Sequence, residues 1–298
     1  MKKIKVMATC PICRTRPADS REHVWAHWYL EHMDKHAAPM TAWTSNGSPI
    51  VNRDGLQYAG RAERERVMLD ICKTCNNELD RRFEKPAQGL VDTVVKAGFA
   101  GALTREQWGT VGLWWAKLLL LLGLPESRYA TSRINDKIVA RFDAADQLDL
   151  RWLTDGSPVP DGLSLYAHRV DLADSSTVYA VPFPSVVTDA RGNHTYFHVL
   201  DLATQGVGFS LVSHPGWPVD HPLVSVGSAW ELLHSPPPSG SDLSLLPAFG
   251  PRAISWQTFG AVLKPGFALD DTLPPLRATR GLIDPDPRVL DILEGYEF

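Results

Sequence analysis

The chain has 298 residues, with 30 Lys+Arg against 34 Asp+Glu for a formal net charge of −4, and 44% of it is hydrophobic. Ten Trp, ten Phe and seven Tyr demand burial, which excludes a mainly disordered chain. Four cysteines are too sparse for a disulfide-stapled scaffold, and the acidic total excludes a uniformly cationic nucleic-acid binder. The charge is uneven, however: residues 1–86 hold 15 Lys+Arg and 11 Asp+Glu, a net of +4, and the remainder hold 15 and 23, a net of −8.

In chain order, the charged start Met1-Lys2-Lys3-Ile4-Lys5 is not followed by an apolar stretch long enough for a signal peptide. Residues 1–86 mix short apolar runs with turn signals. From Pro86 the pattern becomes helical: Leu90, Val91, Val94 and Val95 mark a helix over 88–97. Thr104-Arg105-Glu106-Gln107 is a capping box opening a second helix to about Leu124, ended by Pro125. Its apolar stretch at 111–124, interrupted by Lys117, is shorter than the roughly 20 residues of a bilayer span. It reads as a buried helix, with Trp114 and Trp115 in the core, and the chain reads as soluble and cytoplasmic. Beyond about residue 138 the runs at 178–187, 195–202 and 206–212 predict an antiparallel meander, with turns at 189–193 and 204–206. Residues 236–241 read as a surface loop and 288–294 as a closing helix. The expected class is α+β: a basic zinc-binding module at 1–86, a helical connector at 87–130 and an antiparallel β-rich domain at 131–298.

Cys10-Pro11-Ile12-Cys13 and Cys72-Lys73-Thr74-Cys75 are two C-x-x-C knuckles that together use every cysteine. Each aims two thiolates at one ion at about 2.3 Å, and two knuckles complete a tetrahedral structural zinc site. Two unrelated cysteine pairs, or a redox C-x-x-C, are the alternatives. Beside the first knuckle lies Ser20-Arg21-Glu22-His23-Val24; directly after the second come Asn76-Asn77 and the run from Glu78 to Glu84. On a strand Glu22 and His23 point to opposite sides, so one could hold a metal while the other faces substrate. On a helix Asn76, Asp80 and Glu84 recur every four residues and share a face. Zinc would draw Glu22, His23 and Asn76 into one cluster, with Glu84 a further candidate.

These residues resemble the HNH (His-Asn-His, ββα-metal) endonucleases in their zinc-knuckle, treble-clef form. The resemblance covers about residues 8–86 and rests on Cys10/Cys13, Ser20 to Val24, Cys72/Cys75, Asn76-Asn77 and Phe83-Glu84. A weaker similarity extends to the Trp114-Trp115-Ala116-Lys117 helix. It implies a treble-clef ββα-metal fold, with His23 as general base and Glu22 holding a single Mg²⁺ or Mn²⁺. Asn76 would join the ligands or orient His23, and Glu84 would be a further ligand. The chain departs from the family pattern at Trp25-Ala26-His27-Trp28 and at Glu78-Leu79-Asp80, which leaves Asp80 as an alternative to Glu84. The implied activity is hydrolysis of DNA phosphodiesters, leaving 5′-phosphate and 3′-hydroxyl ends.

Arg21, Arg61, Arg64, Arg66, Arg81 and Arg82 are candidate phosphate contacts, with an ordinary solvated face as the alternative. His27, His32 and His36 read as solvent-facing on a helix beside buried Trp28 and Leu30. Two other readings stay open: a non-catalytic zinc module that binds nucleic acid or protein, and an RNA-directed nuclease or toxin. The expected partners are DNA, and a second copy or a partner protein on the C-terminal domain; genome defence is one role among several.

Overall fold

The computed structural model describes residues 8–36, 44–45, 48–49, 68–96, 101, 103–124, 149–170, 177–180, 185–188, 194–204, 206–213, 222–249 and 268–269. The architecture is α+β, with helices and antiparallel sheets. Arg61, Arg64 and Arg66, the turn at 189–193 and the helix at 288–294 lie outside the described residues, as do the side chains of His32 and His36.

Strand β1 (Ser20–His23) leads into helix α1 (His27–His36). The two-residue strands β2 (Thr44–Ser45) and β3 (Ser48–Pro49) pair with each other, and β4 (Met68–Ile71) returns antiparallel to β1. The pleat sorts the pair: Glu22 stands opposite Leu69 on the buried face, while Arg21 and Asp70 face each other on the exposed one.

From β4 the chain enters one continuous helical rod in three parts. Helix α2 (Lys73–Leu79) passes into a π-turn (Asp80–Glu84), and this into α3 (Lys85–Lys96). The rod thus crosses position 86, where the change of pattern suggested a boundary. Pro86 explains the π-turn. It has no N–H to donate, and in α geometry its ring would press on the carbonyl four residues back, that of Arg82. Widening the preceding turn relieves this clash, and the Lys85 N–H donates to the Asp80 carbonyl five residues back.

Helix α4 (Arg105–Gly123) begins with the capping box read from the sequence. Gln107 N–H donates to Thr104 Oγ1 at 3.2 Å, and Thr104 N–H to Gln107 Oε1 at 2.8 Å. Because it is apolar nearly all round, α4 is the central element of the core. Trp114, Trp115, Ala116, Leu118, Leu119, Leu121 and Leu122 are fully buried. On one side Tyr29 of α1 packs edge-on to Trp115 at 5.6 Å between ring centroids; on the other Phe209 stacks on Trp115 at 4.1 Å.

Phe209 belongs to a sheet of eight strands among the described residues. These are β5 (Leu163–Val170), β6 (Thr177–Ala180), β7 (Ser185–Thr188), β8 (His194–Thr204), β9 (Val207–Ser213), β10 (Ala229–Glu231), β11 (Ala248–Phe249) and β12 (Ala268–Leu269). Their order is β10-β5-β9-β8-β7-β12, with β6 also on β8 and β11 parallel to β5. The β7-β8-β9 meander is present. The single run expected over 178–187 is instead two strands, β6 on the end of β8 and β7 on its start. Pro182 and Pro184, which cannot donate to a ladder, fall between them. Gly206 closes the β8–β9 turn at φ +79°, a backbone that suits glycine. Of the short elements, helix α5 (Trp152–Asp155) packs on α2, helix α6 (Pro222–Ser225) on β10 and a 3₁₀ turn (Leu243–Leu245) on β5. The core runs without a break from Cys10 to Leu243, joining the first hairpin, α4 and the sheet. Among the described residues no helix is long and apolar enough to cross a membrane.

Candidate metal centre and the buried carboxylate pair

The first knuckle is a tight turn held by its own backbone. Cys10 N–H donates to the Arg16 carbonyl at 2.8 Å, Arg14 N–H to the Cys10 carbonyl at 2.9 Å, and Arg14 takes a left-handed φ of 55°. The second knuckle straddles the start of α2. Cys72 is the N-cap, its Sγ accepting from the Cys75 N–H at 3.4 Å, and Cys75 lies in the first turn. All four Sγ atoms lie within 4.8 Å of one another, with Cys13 and Cys72 at 3.9 Å. A tetrahedral zinc with bonds of about 2.3 Å places its sulfurs about 3.8 Å apart, so the group fits zinc. Among the described residues no other group of three or more Cys, His, Asp or Glu side chains could share an ion.

Without an ion, burial penalises the thiolates of Cys10 and Cys75. Burial pushes Cys10 up, and burial together with the neighbouring Cys72 pushes Cys75 up. Burial also pushes Cys13 up, but hydrogen bonds from the Thr15 hydroxyl and the Thr15 and Arg16 backbone outweigh it and hold this thiol at about 6. A dication bound by four thiolates removes the conflict between burial and charge. Thr154 of α5 sits 3.8 Å from Cys75 Sγ, tying the cluster to the chain beyond α4.

Glu22 and His23 diverge as adjacent strand residues must. His23 is exposed at the end of β1, while Glu22 is buried. Asn76, one residue beyond the last cysteine, donates through Nδ2 to Ser20 Oγ at 2.8 Å and to the Arg21 carbonyl at 3.0 Å. It therefore holds the backbone of β1 just ahead of His23.

Glu22 and Glu84 do meet, but on Lys117. Its Nζ donates to Glu22 Oε1 at 2.8 Å and to Glu84 Oε1 at 2.6 Å, and Trp28 Nε1–H donates to Glu84 Oε2 at 2.9 Å. Lys117 is fully buried on α4. Burial alone would push its ammonium down; the charges and hydrogen bonds of Glu22 and Glu84 outweigh this and raise it well above the ordinary lysine range.

Asn76, Asp80 and Glu84, the residues expected on one face, take separate partners: Asn76 reaches β1, Glu84 in the π-turn reaches α4, and Asp80 pairs with Lys85 at 2.6 Å. Both oxygens of Glu84, one of Glu22 and the amide of Asn76 are thus engaged within the protein. As placed, Glu22, Asn76 and Glu84 do not fit a divalent ion, which wants several free oxygen donors around one point.

Of the six candidate phosphate contacts, the three among the described residues have internal partners. Arg21 faces Asp70 at 3.3 Å and Arg81 pairs with Glu78 at 2.6 Å, both at the surface. Arg82 donates to the carbonyls of Trp152 at 2.5 Å and Ser157 at 3.2 Å, docking the helical rod onto α5.

Sequence reasoning missed Lys117 as a site residue. The signal was a lone lysine amid an otherwise apolar helix, which is almost never buried without carboxylate partners. Comparison with protein-family models, curated proteins and solved structures finds no match to this chain.

Proposed function

We propose that the N-terminal part of the chain is a zinc-stabilised, treble-clef nuclease module of the HNH type that hydrolyses phosphodiester bonds in DNA. The observation carrying this reading is the antiparallel β1–β4 pair, with β4 running into α2 and the four cysteines clustered beside it; α1, β2 and β3 lie between the two strands in the chain. β1 ends in exposed His23, β4 runs directly into Cys72, and Asn76 reaches back from the first turn of α2 to hold β1. That order supports a solvent-facing imidazole on a strand fixed on both sides. In this role His23 accepts a proton from water as the water oxygen attacks phosphorus. The P–O3′ bond breaks and the departing O3′ takes a proton from solvent, leaving a 5′-phosphate and a 3′-hydroxyl. The expected Glu22, Asn76 and Glu84 ion set does not fit, so no step is assigned to it. One such site cuts one strand; cleaving both takes a second copy or a second encounter. A thiolate zinc site suits a reducing compartment, which is the support for reading the protein as cytoplasmic. The sheet-rich remainder would serve as a companion domain for a partner protein or a second copy.

A second reading has its own support. The engagement of Glu22 and Glu84 by Lys117 also suits a non-catalytic zinc module that binds nucleic acid or protein. Cleavage of a DNA duplex by zinc-loaded wild type, abolished in a folded, zinc-loaded His23→Ala variant, separates the two. No cleavage by either protein, with and without Mn²⁺, would leave the binding reading standing.

A further inference from the structure

We infer that the cation position between Glu22 and Glu84 belongs to Lys117, and that its ammonium and a divalent ion exclude each other there. Two carboxylates from separate elements, β1 and the π-turn, converge on one Nζ at 2.8 and 2.6 Å. The second oxygen of Glu84 accepts from the Trp28 indole, so an ion at Glu84 would have to displace or crowd a donor already in place on each oxygen. Lys117 is fully buried between Ala116 and Leu118, and among the described residues its bonded acceptors are these two carboxylates. An ion at this point would strip Glu84 from two donors and leave a buried ammonium facing a dication without a counter-charge. Glu84, whose carboxylate reaches the lysine, is the last residue of the π-turn. Removing the ammonium leaves two carboxylates around a vacated space, a donor set suited to a hard divalent ion. The inference deepens the nuclease reading by assigning the cation of the same site. Its test involves no catalysis and stays readable whichever way DNA cleavage falls.

The test is a Mn²⁺ titration of ¹⁵N-labelled full-length, zinc-loaded protein, following the Trp28 indole N–H cross-peak, whose donor bonds Glu84. A paramagnetic ion between Glu22 and Glu84 would erase this signal. In wild type the peak should survive one equivalent of Mn²⁺; in Lys117→Ala it should vanish, and Glu84→Gln added to Lys117→Ala should restore it. Loss of the peak in wild type, prevented by Glu22→Gln, would overturn the inference, as would a folded Lys117→Ala whose peak ignores Mn²⁺. A wild-type loss that persists in Glu22→Gln comes from an ion elsewhere and leaves the lysine in possession. If Lys117→Ala does not fold, the wild-type titration decides alone, retention supporting the inference and Glu22-dependent loss overturning it.

Discussion

Glu22 and Lys117, 95 residues apart in the chain, meet at 2.8 Å with the ammonium fully buried. With Glu84 they tie β1, the helical rod and α4 together at one point. Removing one member of a buried ion pair costs about 3–5 kcal/mol, because the remaining charge is stranded, whereas replacing the whole group by apolar residues costs far less. Lys117→Met should therefore destabilise strongly in urea unfolding. Adding Glu22→Leu and Glu84→Met should recover much of the loss. Additive losses across the set would show that the three side chains do not act as a unit.

Zinc should be bound at one ion per chain and should be required for the N-terminal fold. Metal analysis checks the stoichiometry, and Cys72→Ser should remove the ion. Serine is itself a good N-cap, so any loss of helical signal from α2 in that variant reports the loss of the ion and not of the cap. Protons compete with the ion for four thiolates, so the metal should leave as pH falls rather than as it rises. Full zinc retention in Cys72→Ser would exclude the four-cysteine site.

His168 lies fully buried on β5, and burial alone pushes its imidazole down from 6.5 to about 4. The folded state resists the proton that the unfolded state accepts. Stability from this residue is thus complete above about pH 6.5 and falls as pH drops towards 4, by roughly 3 kcal/mol in all. Unfolding curves for wild type and His168→Gln should converge in this window. A wild-type stability that His168→Gln tracks in parallel down to pH 4 would contradict the assignment.

Gly112 marks where α4 presses on the segment after β10. A Cβ there would stand 2.6 Å from Leu232 Cβ and 3.1 Å from its carbonyl oxygen. Alanine gains about 1 kcal/mol of helix propensity over glycine, but forcing an atom into packed backbone costs about 1–3 kcal/mol. The clash involves a carbonyl, which cannot swing away, so Gly112→Ala should lower the thermal midpoint. Gly89 has nothing within 4 Å of such an atom; there Gly89→Ala should raise it.

The parts of this molecule legible in its sequence are those encoded by neighbours. The knuckle spacing predicts the four-sulfur cluster, the Thr104 to Gln107 box predicts the start of α4, and the apolar run predicts its burial. Strand alternation alone separates Glu22 from His23. The rest depends on distant partners. Lys117 reads as a blemish in a hydrophobic helix until Glu22 and Glu84 are brought to it from 95 and 33 residues away. The four-residue spacing of Asn76, Asp80 and Glu84 does not reveal that each takes a different partner, on β1, on Lys85 and on α4. Hydrophobicity alone likewise sees one strand over 178–187, where the described residues form β6 and β7, paired with opposite ends of β8.

The most direct measurement of the proposed function is conversion of supercoiled plasmid to nicked circles by zinc-loaded protein, with and without Mn²⁺, comparing wild type with His23→Ala. Wild type should nick, and His23→Ala, with its zinc and fold intact because His23 is exposed, should lose activity by about 10²–10⁴-fold. Equal nicking by the two proteins, or none by either, would contradict the assignment of His23 as the general base.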